Sequence, residues 1–253
     1  MRKYSWIPIF VLITICVGCI SCSAAAQSLE MDSESFRPYM VFYLLQSDGF
    51  EDIDRIPAFF AIFPVLVFSF FNGTNIYEKW NDTGIYIISR KRRRATAFLQ
   101  DAVRLAGWSV VGSAIYIAVP ILYAHFILKQ AFVDWQMTSI SLFILNFALF
   151  YFLALLQNIV SMIRGSTYGI IIVTILFLTF ASISMALISN ADTIAVKMLS
   201  LVIPFISLYA CLQDCYSFGF VIFSVLFNFV FVTVIGMTLV KKIDIGISNK
   251  EFI

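Results

Sequence analysis

The sequence predicts an all-helical, polytopic membrane protein with six transmembrane helices, and three observations predict it. First, 61% of the 253 residues are hydrophobic and 13% are charged, which is too apolar for a surface that water must wet. Second, six runs free of Asp, Glu, Lys and Arg, at 4–29, 56–77, 105–128, 135–163, 165–191 and 215–240, each exceed twenty residues. A bilayer core about 30 Å thick needs about 20 apolar residues of helix to cross it. Third, Lys and Arg concentrate in alternate connections, as the positive-inside rule requires of loops held in the cytoplasm. Membrane-barrel strands alternate apolar and polar residues over about ten positions, and these runs are continuously apolar.

The first span is set at 4–25, behind Arg2 and Lys3. It competes with a secretory signal, because Ser23-Ala24-Ala25-Ala26 offers a small-residue cleavage site whose use would leave five spans. Retention is favoured, since an even helix count keeps Lys241 and Lys242 inside. Cys19 and Cys22 raise a lipoprotein signal, but neither has a Leu three residues before it. The segment 27–56 carries Arg37 and Arg55 against Glu30, Asp32, Glu34, Asp48, Glu51, Asp52 and Asp54, so nothing holds it inside and it is expected outside.

The second span, 57–77, leads into a loop, 78–104. From Gly73 to Arg104 seven basic residues, five of them at Arg90, Lys91, Arg92, Arg93 and Arg94, stand against Glu78, Asp82 and Asp101. This loop is expected in the cytoplasm. Spans three to five follow at 105–128, 137–163 and 167–190, with Arg164 on the inner side after the fourth. The apolar stretch 198–213 is short for a crossing and carries Pro204. It must begin and end outside, so 193–216 is expected to form an external helix pair or shallow re-entrant hairpin. The last span, 217–240, returns to Lys241 and Lys242, which puts both termini in the cytoplasm of a plasma-membrane protein.

Much chemistry is excluded. No G-x-x-x-x-G-K-[ST], G-x-S-x-G or H-E-x-x-H occurs, so the chain carries no P-loop and no recognisable nucleophile or zinc site. It is not expected to be an enzyme or to bind a metal or cofactor itself. A net charge of +2 gives no reason to expect a nucleic-acid partner. The lone histidine, His125, falls near the outer end of span three and reads as an interfacial anchor. None of the six runs contains a charged residue, which argues against proton-coupled carriers and ion pumps.

Asn146, Gln157, Asn158 and Asn228 are the conspicuous polar residues inside spans. They are expected to hydrogen-bond between helices at about 1 kcal/mol each, with a substrate-facing role as the alternative. Cys16, Cys19 and Cys22 read as small packing residues within span one. Cys211 and Cys215, four apart in the external hairpin, can pair as a disulfide if the backbone there departs from regular helix. Tyr4, Trp6, Tyr77, Trp108, Tyr123, Trp135 and Tyr168 near span ends fit interfacial aromatic belts. The sequons at Asn72 and Asn81 fall on the inner side and are not expected to carry glycans.

The segment 78–94 is where polar sequence is organised for a partner. Ile85, Ile88 and Arg92 share one helical face, so a short amphipathic helix can lie on the inner membrane surface or enter a groove on another protein. The plainer reading is a basic patch holding anionic lipid. The order of spans and loops resembles the permeases of type-2 ABC exporters. Those have six spans, inner termini, a cytoplasmic coupling helix between spans two and three and an external hairpin between spans five and six. Glu78, Thr83 with Gly84, and Ser89 with Arg90 look like the acidic, Thr-Gly and Ser-Arg positions of such coupling loops. With Arg92 they are the expected contacts to an ATPase. Relatives often start with an amphipathic connecting helix, whereas three residues precede Tyr4 here.

The resemblance implies a homodimer of permeases. Each is docked on a separate ABC ATPase subunit that binds the ATP and Mg²⁺, and spans two and five line the path. Phe59, Phe60, Phe63, Phe68, Phe70 and Phe71 of span two and Phe177 and Phe180 of span five would then be candidate lining residues. Aromatic walls suit an apolar or amphipathic cargo, although phenylalanines in a membrane protein also simply face lipid. Small size and Phe-rich spans look most like bacterial exporters of amphipathic peptides, such as bacteriocin or phenol-soluble-modulin transporters. The alternative is a membrane sensor or immunity protein that binds an exported peptide without transporting it, with 27–56 as its receptor segment.

Overall fold

A computed structural model describes residues 6–28, 55–88, 94–129, 135–187, 193–203 and 217–242. Among them every regular element is helical: α1 Trp6–Ser28, α2 Arg55–Asn72, α3 Asn75–Ile88, α4 Arg94–Tyr123, α5 Trp135–Arg164, α6 Ser166–Leu187, α7 Ile194–Val202 and α8 Phe218–Lys242. A π-helical turn, Ala124–Leu128, extends α4. Three helices, Arg94–Leu128, Trp135–Arg164 and Phe218–Lys241, are long and apolar enough to cross a membrane, and Ile7–Ser23 and Ser166–Phe180 are shorter apolar stretches.

Helix α5 is the hub, with α2, α3, α4, α6 and α8 all packed on it, while α1 covers α2 and α4. Its sequence explains the position. Every residue from Ala148 to Leu155 is buried, and a helix apolar on all sides is stable only when surrounded by other helices. Helix α8 is different: Phe223, Leu226, Val230 and Val234 are exposed, an outward apolar face suited to lipid.

Aromatic rings join the helices. Phe68 of α2 stacks on Phe150 of α5 at 4.8 Å with 14° between planes. Phe10 of α1 meets Phe68 edge-on at 5.8 Å. Gly112 of α4 permits this approach, since a Cβ there would lie 2.7 Å from Phe68 Cε2 and 3.2 Å from Phe150 Cδ2. On the other side of α5, Tyr151 stacks on Phe229 of α8 at 4.5 Å, and its hydroxyl hydrogen-bonds Thr233 at 2.7 Å. The α5–α6 hairpin turns at Gly165, whose φ of +93° is the left-handed conformation that glycine adopts at a helix C-terminus.

Two helix bounds differ from the apolar runs. The helix of the second run ends at Asn72, and the chain bends at Gly73 and Thr74 before α3 begins. Ile76 and Trp80 are apolar because α3 buries them against its neighbours, not because they continue a span. The third run begins well inside α4, whose first turn is at Arg94, so 94–104 is helix within the expected loop.

Helix α7 starts with Thr193, whose side chain accepts the Val196 N–H. Its end is tied to α8: Ser224 Oγ donates to Ser200 O at 3.0 Å and Asn228 Nδ2 to Val202 O at 2.9 Å. Those bonds satisfy carbonyls that a helix end leaves unpaired. Asn228 lies ten residues beyond Phe218, so α7 ends beside a point about 15 Å down α8. The rest of the expected hairpin, with Pro204, Cys211 and Cys215, lies outside the described residues, as do 29–54.

Candidate functional site: the α3 cradle and the adjoining groove

The first turn of α3 presents N–H groups with no partner inside the helix. Asn158, fully buried on α5, supplies one from 82 residues away. Its Oδ1 accepts the N–H of Ile76 at 2.8 Å and of Tyr77 at 3.3 Å. Its Nδ2 donates to the carbonyl of Asn72, the last residue of α2, at 3.0 Å and to Ala154 O of its own helix at 2.8 Å. One carboxamide therefore closes the end of α2 and caps the start of α3. Locally, Thr74 Oγ1 donates to Glu78 Oε1 at 2.9 Å, and Asn75 Nδ2 to Asn72 Oδ1 at 3.3 Å.

Further along α3, Asp101 of α4 is the second anchor. Its Oδ1 pairs with Lys79 and its Oδ2 accepts Trp80 Nε1–H at 3.0 Å. Trp80 is 1% exposed, so this indole donor depends on Asp101. The Lys79 side chain is half in solvent, and its ion pair contributes correspondingly little. Asn75, Ile76, Lys79, Asp101, Arg104 and Leu105 line a cleft of about 300 Å³ between α3 and α4.

Beside this cradle the next residue of α5, Gln157, accepts a hydrogen bond from Ser69 Oγ at 2.7 Å. It lies so close to the bend that a Cβ on Gly73 would fall 2.4 Å from Gln157 Cδ, and only glycine fits there. Gln157 is 2% exposed, and its Nε2 has no hydrogen-bond partner. It lines a groove of about 330 Å³ between α1, α2, α5 and α6, whose walls include Phe63, Phe70 and Phe177.

Of the expected coupling residues, Glu78 is exposed on α3. Thr83 and Gly84 belong to the same helix, but their side chains lie outside the described residues, as do Ser89, Arg90 and Arg92 altogether. Of the expected path residues, Phe63, Phe70 and Phe177 meet at one groove. Phe180 is half-buried in the core and is not among the residues lining it, and the Phe59 side chain is outside the described residues. Among the polar span residues, Gln157, Asn158 and Asn228 bond between helices, whereas Asn146 bonds Leu142 O of its own helix.

Asp101 is the residue that the sequence reading missed, since it counts there only as one of three acidic loop charges. The bend at Gly73 had a readable signal in Asn72-Gly73, a dipeptide that marks turns. Among the described residues no group of three or more His, Cys, Asp or Glu converges. Through Asn158 and Asp101, α3 is joined to the end of α2, to α4 and to α5.

No curated protein and no solved structure matches this chain. Residues 7–246 match the family described as Protein of unknown function (DUF2705), and the chain belongs to that family.

Proposed function

We propose that the chain is the permease subunit of an ATP-driven exporter, with α1, α2, α4, α5, α6 and α8 as six membrane spans and α3 as the helix that receives the stroke of a separate ATPase subunit. The observation that carries this reading is the attachment of α3. It is a short amphipathic helix between two apolar ones, held at its start by Asn158 and in its first turns by Asp101. Its Glu78, Lys79 and Asn81 are left exposed. A helix meant only to rest on lipid needs no buried carboxamide cap and no buried acceptor for its tryptophan. A helix that must pass a push to three spans does.

The remaining features agree. The Arg-rich segment after α3 keeps this end of the bundle in the cytoplasm. With α7 ending beside the middle of α8, residues 193–203 suit the first limb of an external re-entrant hairpin. The groove joins the second and fifth spans through aromatic walls, which suit an apolar or amphipathic cargo.

The test is copurification. The tagged chain is extracted in mild detergent with its neighbouring genes expressed, and its partners are identified by mass spectrometry. A stoichiometric ATPase is expected, lost when Glu78→Ala is combined with replacement of residues 90–94 by Ser. Recovery of the chain alone under several gentle conditions sinks the exporter reading and favours a membrane sensor or immunity protein.

A further inference from the structure

From the Gln157 groove we infer a binding site for the carbonyl-bearing acyl chain of an amphiphile, with the carbonyl accepting from Gln157 Nε2. The inference rests on the membrane orientation of the proposed function. Gln157 carries the argument. It is nine-tenths or more buried, its Oε1 is used by Ser69, its Nε2 has no hydrogen-bond partner, and the residue lines the groove. A donor left unmet away from water is costly, so the site is complete when an occupant presents an acceptor.

The walls define the rest of the occupant. Among the lining residues Ser69, Gln157 and Thr174 carry polar side chains, and none is ionisable. A charged group has no match inside. An extended peptide brings one N–H donor per residue, and an apolar wall has no acceptors to meet them. An acyl chain brings one carbonyl and otherwise hydrocarbon.

The polarity of the groove is also ordered. Ser69 lies three residues before the end of α2 and Gln157 seven before the end of α5. The polar end therefore sits within about 10 Å of the helix ends assigned to the cytoplasmic face. From Phe71 the α2 wall runs back to Phe63, about 12 Å toward the bilayer centre. That is the direction and depth of an inner-leaflet chain whose carbonyl lies near the interface.

The experiment photolabels the full chain in phosphatidylglycerol nanodiscs. One probe is a diazirine-bearing fatty primary amide and the other a phospholipid with the diazirine in one acyl chain, and attachment sites are mapped by peptide mass spectrometry. Labelling is expected on 63–71 and 170–177, falling about fivefold in Gln157→Leu, the loss of one hydrogen bond to a neutral acceptor. It is expected to be abolished by Val67→Phe, which fills the groove and leaves Gln157 intact. Labelling by the amide alone assigns a single-chain ligand, and labelling by the phospholipid alone assigns bilayer lipid. Both carry the inference.

Labelling of 63–71 no stronger than that of the outward face of α8 and insensitive to both variants overturns it. So does labelling by a diazirine-bearing amphipathic peptide but by neither acyl probe. Monodispersity and unchanged protection of the α3 amides show that the variants fold. Failure here with a copurifying ATPase leaves the exporter standing, whereas groove labelling without an ATPase leaves the groove standing and removes the exporter.

Discussion

Replacing Asn158 by Ala should release α3 from the bundle while leaving the bundle folded, and the size of the effect can be worked from its four hydrogen bonds. The bond to Ala154 O is internal to α5 and its loss does not touch α3. The bond from Tyr77 N, at 3.3 Å, is longer than a good N–H···O contact and adds little. The cap on Ile76 N at 2.8 Å contributes about 1 kcal/mol. The bond to Asn72 O at 3.0 Å contributes about 1 kcal/mol more, or about 0.6 by the average for such bonds in membranes. The total of about 2 kcal/mol corresponds to a shift of about 30-fold in the docked-to-undocked equilibrium of α3.

Hydrogen exchange in nanodiscs reads that equilibrium directly, because the Ile76 amide is protected through Asn158. Protection at 76–81 should fall by about 30-fold, with less than about threefold change along α8. A fall of under about threefold at Ile76, or an equal fall along α8, would show that Asn158 is an ordinary core residue. The load path through α5 would then be wrong.

Two further predictions concern the packing around this site. Asp101→Ala should cost about 1–3 kcal/mol by orphaning the Trp80 indole. Asp101→Asn, which keeps an acceptor, should lose only the half-exposed Lys79 pair, about 0–1 kcal/mol. Thermal midpoints in nanodiscs and Trp80 emission, with the other three tryptophans replaced by Phe, separate the two, and equal red shifts would count against the Asp101 anchor. Gly112→Ala should cost about 1–3 kcal/mol by forcing Phe68 and Phe150 apart, and Phe68→Leu in the same chain should recover part of that loss. A strictly additive double variant would mean that the glycine is not there for the rings.

Composition, charge-free runs and the placement of Lys and Arg report how each stretch of chain is solvated, and solvation is a local property that sequence carries in full. The all-helical class, the presence of helices apolar enough for a membrane, and an amphipathic helix in the loop after the second run were therefore legible. The end of α2 was marked by Asn72-Gly73 but hidden from hydropathy. Ile76 and Trp80 are as apolar as a span, and burial against α4 and α5 looks the same in a hydropathy reading as burial in lipid.

The partners of the polar residues were equally hidden. Asn158 reads as one of four amides in apolar surroundings, yet it alone caps a helix that begins 83 residues earlier. Asp101 reads as a loop charge and is a buried acceptor for Trp80. Gln157 and Asn158 are neighbours in sequence, but the helical turn of about 100° between them sends one into the groove and the other under α3. Sequence determined which residues must leave water. Only the packing of α2, α3, α4 and α5 on one another decided which polar atoms found partners when they did, because a hydrogen bond needs two groups within about 3 Å and that distance is set by the fold.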